Sequence, residues 1–566
     1  MDKFWLTRYP TGIPKMLTID PAETLVDVFE GSVRKFAERP AYSNFGKTIN
    51  FAELNLLSAR FAAYLQNRLG LEKGDKVAIM MPNTLQYPIA LFGILRAGLV
   101  VVNINPLYTH RELHHQLKDS QAKAIVIIAN SGDVLEAALA ENDTDVRGII
   151  VTEIGDMLDS PKRQLINFAV RYIKRMVPSY KLNCPVAFSA TINDRTGVFQ
   201  RPREIFGTDL AFLQYTGGTT GVSKGAMLTH SNMVTNMRQV NAWFSKVNVL
   251  GEEIMFTPLP LYHVYALTCN CLAYLENGGL NVLVTDPRDT KSLIAEMKRW
   301  NFTAITGVNT LYQSLVNHPG LKSVDFTTVK IVSAGGMAVM EPTANAWHEI
   351  TGTNILEGYG LTEASPVVTT NLARNRGFTG SIGLPLPNTE MSLRNESGNE
   401  VEQGEPGELC VRGPQVMLGY WLRPDATAEA FTDDGFLKTG DIAVVDVNGH
   451  FKIVDRKKDM ILVSGFNVFP NEIEQVVVAH ADVFEVACIG LPAKRGGEIV
   501  AIYVVRESGS QITEETLLEF CRHQMTAYKV PKVIKFVDEL PKSNVGKVLR
   551  RELREQASSA YDAAKA

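Results

Sequence analysis

Apolar runs of strand length recur along this chain, with stretches of helical spacing between them. KVAIMM from Lys76, GLVVVNI from Gly98, KAIVIIA from Lys123, LNVLVT from Leu280, FTAITGV from Phe302 and VKIVSAG from Val329 are near-continuous in apolar residues. LNLLSARFAAYLQNRL, in contrast, spaces its apolar residues as a helix does. Continuous apolar strands are buried on both faces, and the interleaved helices supply the cover. The pattern therefore predicts an α/β protein with layers built on parallel sheets. A length of 566 residues exceeds what one hydrophobic core serves, so several subdomains are expected. A net charge of -4 gives no global basicity of the kind that binds nucleic acid.

The pattern changes after about residue 378. SIGLPLPNTEMSLRNESGNEVEQGEPGELCVRG is rich in Gly, Pro and Asn with short alternating runs, which reads as a small β-rich subdomain. The charge cluster Asp455-Arg456-Lys457-Lys458-Asp459 then separates two strand-like runs. Beyond it, DVFEVACIG, AIYVV, EETLLEFCRHQM and VIKFV mix strands and helices in about a hundred residues, an α+β domain. The division expected is a large N-terminal domain (1–455; two α/β layers plus the β-rich subdomain), a hinge (456–459) and a small C-terminal domain (460–566). On pattern alone, an exposed turn inside one domain explains the charge cluster equally well.

Six cysteines without a CxxC pair point to buried free thiols in a reducing compartment, and MDKFWLTRYPTG has no apolar core of signal-peptide length. A cytoplasmic protein is expected. Tyr87 to Ile104 is the longest apolar stretch, but Arg96 interrupts it. The pattern turns strand-like near Gly98, so a buried helix and a buried strand are expected in place of a membrane span. SPKRQLINFAVRYIKRMVPSYK carries no acidic residue from Pro161 to Lys181 and places Ile166, Val170, Ile173 and Val177 on one helical face. Such a helix lies either on anionic lipid or, by that face, on its own domain.

QYTGGTTGVSKGAMLTH, Gln214 to His230, admits three loop readings. Gly221-Val222-Ser223-Lys224-Gly225 matches the G-x-S-x-G of a nucleophile elbow, which sits between a strand and an immediate helix. Here a second strand follows Ser223, and the next helix starts only near Ser231, a plausible N-cap. A Walker loop needs Gly and Lys adjacent, whereas two residues separate Gly221 from Lys224. The composition still suits phosphate. Glycine N–H groups can turn toward an anion, the hydroxyls of Thr216, Thr219, Thr220 and Ser223 can donate, and Lys224 can neutralise charge.

Read in order, Y-T-G-G-T-T-G-V-S-K-G, PLYHVYALT, SAGG, GYGLTE, LKTGD, VDRKKDMILVSGFNVFPNEIE and PKSNVGKVLRREL resemble the adenylate-forming (ANL) superfamily of acyl-CoA synthetases over nearly the whole chain. DGFLKTGDIAVVDVNGHFKIVDRKKDMILVSGFNVFPNEIE, PLYHVYALT and the basic helix near 170 are similar to bacterial long-chain fatty acid–CoA ligases. The resemblance implies an acetyl-CoA synthetase-like fold with a mobile small domain. It implies two half-reactions. A carboxylate attacks the α-phosphate of ATP to give acyl-adenylate and pyrophosphate, and the coenzyme A thiol then displaces AMP. A relative that uses an aromatic acid or a carrier protein is the alternative. The family also includes homodimers and contact with the inner membrane surface.

Site roles are carried over from that resemblance. Thr216, Gly217, Gly218, Thr219, Thr220, Gly221, Ser223 and Lys224 would wrap the β- and γ-phosphates, and Thr216 with Glu363 would hold Mg2+. Tyr359 would stack on adenine beside the flat backbone of Gly336, Gly358 and Gly360. Thr362 would approach the α-phosphate, and Asp441 and Arg456 would hold the ribose. His263 would lie near the carboxylate, and Lys547 would reach the α-phosphate and carboxylate oxygens. Lys458 occupies the pivot position, about which the small domain turns to bring either Lys547 or the segment around Gly465 to the cleft. Two positions depart from relatives. Leu267 stands where some carry a tryptophan gate, and Leu462 where several carry a lysine.

Overall fold

The computed structural model describes residues 3–195, 197–202, 204–216, 223–373, 377–463, 466–492, 498–543 and 548–563, with side chains through Ala557. Two large sheets form the layers of the N-terminal domain. The first has seven strands, in the order Val186–Ala187, Gly148–Thr152, Ala122–Ile128, Lys76–Met80, Val100–Ile104, Leu210–Thr216, Lys224–Thr229. All its pairings are parallel except the last. The second has nine strands and is parallel from Pro40–Asn44 across to Ile355–Gly360, with antiparallel strands added at each end. All six apolar runs read from the sequence are strands in these sheets.

Strand Lys76–Met80 shows why those runs are continuous. Val77 and Ile79 enter a core that also takes Met255, Leu283, Ala304, Ile331 and Leu356 from the second sheet. Ala78 and Met80 point the other way, into a separate core under the outer helices. Alternate side chains reach opposite faces, and both faces are covered. The stretch considered for a membrane span is helix Gln86–Arg96, buried throughout, then strand Val100–Ile104. Arg96 is buried too, donating to Asn55 O at 2.8 Å and Ser58 Oγ at 2.9 Å and lying over the rings of Phe29 and Phe199. No described helix is long and apolar enough to cross a membrane.

The β-rich subdomain is a four-stranded antiparallel sheet of Glu390–Arg394, Gly407–Arg412, Leu437–Val445 and Phe451–Arg456. Beyond Asp459 come the hairpin Ile461–Val463 with Phe466–Val468, helix Pro470–Val478, the sheet of Val483–Pro492, Glu498–Arg506 and Val533–Phe536, helix Glu514–Gln524 and helix Arg550–Ala563. The cores here begin at Ile461, whereas that of the large domain ends at Phe451, with Ile453 packed against it. Residues 456–459 thus lie between cores that share no residue.

Three expectations need correction. The thiols are not all buried: Cys184 is exposed and Cys269 half-buried. The basic segment is not one helix to Lys181. It is helix Lys162–Phe168 continued by a π-helical turn, Ala169–Ile173. The helix after the phosphate loop runs His230–Trp243, and its N-cap is Thr229, not Ser231. The Thr229 hydroxyl accepts from Asn232 N while the Asn232 side chain accepts from Thr229 N, a reciprocal cap of about 1 kcal/mol.

Candidate active site

Strands Leu210–Thr216 and Lys224–Thr229 pair antiparallel with Thr216 opposite Lys224, so the loop between them closes a hairpin at the sheet edge. Strand–loop–strand is the context expected of a phosphate cradle and not of a nucleophile elbow. Gly217, Gly218, Thr219, Thr220 and Gly221 lie outside the described residues, as do Gly465 and Lys547. Both arms of the hairpin are tied to helix His110–Ser120. Tyr215 donates to Asp119 at 2.7 Å, and the His115 ring nitrogen Nε2 lies 3.1 Å from Ser223 O.

Every described candidate residue lines one cleft of about 1990 Å³. Thr216, Ser223 and Lys224 border it from the hairpin. His263 comes from the start of a short helix, where its Nδ1 accepts from Tyr265 N at 3.3 Å. Gly336 follows strand Ile331–Ala334. Gly358, Tyr359 and Gly360 end strand Ile355–Gly360, with Thr362 and Glu363 in the turn beyond. Asp441, Arg456 and Lys458 enter from the β-rich sheet and the segment after it. The small domain closes the far side. Lys542, Ser543 and Val548, which flank the loop carrying Lys547, line the same cleft, and Lys542 is bridged to Val548.

The acids of the site are held by tyrosines. Tyr359 donates to Asp441 at 2.5 Å, and Arg456, opposite Asp441 in the sheet, approaches its other oxygen at 3.6 Å. Tyr420 donates to Glu363 at 2.7 Å, while the Lys224 ammonium lies 5.1 Å from the Tyr420 ring. Burial raises the Glu363 pKa, and the Tyr420 hydrogen bond pulls it partly back. A desolvated carboxylate with only a neutral donor is a ready ligand for a hard cation, so Glu363 fits Mg2+ in chemistry.

The three glycines do different things. Gly336 has φ +78° and open space around it, so its backbone conformation sets the residue type. A Cβ on Gly358 would lie 3.2 Å from Thr369 O, and one on Gly360 only 2.2 Å from Pro366 O. Close strand packing thus requires Gly360 quite apart from access to a nucleotide, a reason the sequence did not show. Leu267 is fully buried, whereas Val264, Tyr265 and Cys269 of the same segment line the cleft. Leu462 is exposed, with its N–H donated to Glu498 at 2.9 Å.

Sequence reasoning missed Tyr420, His115 and Glu357. Glu357 lies two residues before Tyr359 in one strand, so it shares that residue's face, and this alternation was its available signal. Its Oε1 accepts from Val339 N at 3.2 Å while Oε2 has no partner, and burial pushes its pKa up to about 7. Nothing in the local sequence tied Tyr420 or His115 to the site.

Residues 29–421 match the AMP-binding enzyme family, and residues 472–547 match the AMP-binding enzyme C-terminal domain. The chain belongs to the AMP-binding enzyme family. This AMP-binding enzyme is 54% identical over 562 residues to the long-chain-fatty-acid–CoA ligase of Escherichia coli O157:H7, covering 99% of its own chain and 100% of the relative. It superposes on ATP-bound MatB from Rhodopseudomonas palustris with a TM-score of 0.81 and 28% identity, covering 95% and 99% of the two chains. Against apo MatB the TM-score is 0.71 at 29% identity, with the same coverage.

Proposed function

We infer that this enzyme ligates long-chain fatty acids to coenzyme A at the expense of ATP, through an acyl-adenylate, releasing pyrophosphate and AMP. One observation carries the reading. Phosphate hairpin, Glu363, Tyr359, Asp441 and the segment flanking Lys547 meet in a single cleft, in a chain 54% identical to a long-chain-fatty-acid–CoA ligase over nearly its full length.

The chemical problem is an anion attacking a polyanion, so positioning and charge stabilisation dominate. Thr216, Ser223 and Lys224 would receive the β- and γ-phosphates at the mouth of the hairpin. Asp441 would accept from the ribose hydroxyls, oriented by Tyr359, and Arg456 would support the ribose beside it. Tyr359 would present its ring to adenine over Gly336 and Gly358. Thr362 would approach the α-phosphate, and His263 the fatty carboxylate. Lys547 would enter from the small domain to neutralise charge on the α-phosphate and carboxylate oxygens. Mg2+ held by Glu363 and Thr216 would supply charge neutralisation on the phosphates.

For the second half-reaction, the small domain would turn about Lys458 within 456–459 and bring the segment around Gly465 to admit the coenzyme A thiol. The better superposition on ATP-bound than on apo MatB supports reading the present arrangement as the adenylating one. Fatty-acid-dependent pyrophosphate release without coenzyme A, and AMP and thioester formation with it, test the scheme. An aromatic acid preferred over every fatty acid in a chain-length series would overturn it.

The basic segment supports contact with a membrane surface. Leu165, Phe168, Tyr172, Ile173 and Met176 are all exposed, from 46% to 70%, and Ile166, Val170 and Val177 are only half-buried. The apolar side of this segment is therefore not consumed by packing on its own domain. Arg163, Lys174 and Arg175 are exposed beside it, whereas Arg171 is paired with Glu153 and Lys162 donates to Phe45 O. Apolar side chains ringed by cations suit an anionic bilayer surface. Binding to anionic vesicles should weaken with salt and on neutralising Arg163, Lys174 and Arg175. Binding indifferent to both would remove the proposal.

A further inference from the structure

Where the two domains meet, Asp455, Asp459, Glu474, Arg550 and Arg554 pack into one charged cluster. Arg550, its centre, is 14% exposed. It lies 2.7 Å from Glu474, 3.4 Å from Asp459 and 3.4 Å from Asp455, and it also donates to the Asn471 side chain. Arg554 closes on Asp459 at 3.0 Å. Four of the five charges lie beyond Lys458. Asp455 alone precedes it, on strand Phe451–Arg456 of the large domain's β-rich sheet.

Asp455 is fully buried and reaches across the boundary. One oxygen accepts from Arg456 N at 2.7 Å. The other accepts from Asn471 N, also at 2.7 Å, while the Asn471 amide reaches back to Val454 O at 3.3 Å. Asn471 is the second residue of helix Pro470–Val478, which has no side-chain cap of its own. A carboxylate from the large domain thus satisfies an N-terminal N–H of a small-domain helix and meets the positive end of its dipole.

We propose that Asp455 is a positioning residue for adenylation: the large-domain anchor that holds Asn471 and Arg550 and so holds the small-domain wall of Lys542, Ser543 and Val548 against the cleft. Arg550 opens helix Arg550–Ala563 two residues after Val548, which lines the cleft, so fixing it fixes that wall. The charge count explains how the anchor releases. Without Asp455 the small domain keeps two acids, Asp459 and Glu474, against Arg550 and Arg554, a balanced set that travels intact. Turning about Lys458 separates Asp455 from Asn471 and Arg550 while leaving the other four together. Asp455 therefore makes these contacts in one arrangement only, which is what biases an equilibrium between two. The proposal rests on the ligase reading and on the pivot at Lys458.

The test uses the full-length enzyme and two separate assays. Fatty-acid-dependent pyrophosphate release without coenzyme A reads adenylation, and thioester formation from supplied acyl-adenylate and coenzyme A reads transfer. Asp455→Asn should slow adenylation about ten- to a hundredfold, the scale of a lost charge-assisted contact, and leave transfer within about twofold. Asn471→Ala removes the side chain that accepts from Arg550 and donates to Val454 O, and should give the same split. Asp459→Asn lies within the travelling set and should affect both assays alike. Equal loss in both assays for Asp455→Asn and Asn471→Ala, or no loss in either, overturns the anchor. Wild-type enzyme that releases no fatty-acid-dependent pyrophosphate overturns the ligase reading itself, and the anchor with it.

Discussion

The two walls of the cleft hold their charges in opposite ways. On the large domain, Glu363 accepts from Tyr420 and Asp441 from Tyr359, with Arg456 no closer to Asp441 than 3.6 Å. Neutral hydroxyls aim those carboxyl groups and leave their remaining oxygens facing the cleft for a cation or a ribose. On the small domain, Asp459 and Glu474 are closed into salt bridges with Arg550 and Arg554. That wall is neutralised internally and can leave one surface for another without exposing an unpaired charge. On the mechanism proposed above, one wall binds and the other moves.

Removing the charge that the moving wall delivers should have the largest effect. Lys547→Ala is expected to cut acyl-adenylate formation about a thousandfold while transfer from supplied acyl-adenylate changes little. Equal losses would show that the two walls do not divide the work. Freezing the movement should come next. Lys458→Pro is expected to lower transfer about a hundredfold and to spare adenylation, and a variant active in both assays would move the pivot elsewhere.

The fixed wall predicts a pH effect. Burial pushes Glu357 from 4.5 up to about 7. Between those values the native protein keeps a proton that the unfolded chain has lost, so stability falls as pH rises through this window. The loss is complete above about pH 7, at roughly 3–4 kcal/mol. Glu357→Gln should therefore gain denaturant resistance over wild type at pH 8 relative to pH 4.5. A difference independent of pH would mean that the carboxylate is not buried as described. The smallest effect is expected from Tyr420→Phe, which keeps the ring near Lys224 but frees Glu363. About a tenfold loss in adenylation is expected, with a weaker dependence on Mg2+. Unchanged Mg2+ dependence would separate Tyr420 from the metal role given to Glu363.

Much of this was legible in the chain. The continuous apolar runs gave the parallel strands because covering a sheet on both faces leaves no polar position. The spacing around Ser223 excluded an elbow because a second strand, not a helix, followed. Every candidate residue in the described part lies on the cleft. What the sequence concealed were partners far apart in the chain, Tyr420 for Glu363, His115 for Ser223 and Arg550 for Asp455, because local pattern carries no record of who meets whom. It also misjudged the basic segment, where helical periodicity ran on past the π-helical turn that ends at Ile173.

By itself, then, the sequence determined the α/β layers and the change of character toward a small C-terminal domain, since hydrophobic period and residue chemistry act locally. Only the tertiary structure decided which acids meet hydroxyls and which meet guanidinium groups, why Gly360 must be glycine, and that Asp455 reaches both domains at once. Those outcomes depend on burial and on distances of a few ångströms between distant segments, and both arise only when the layers close.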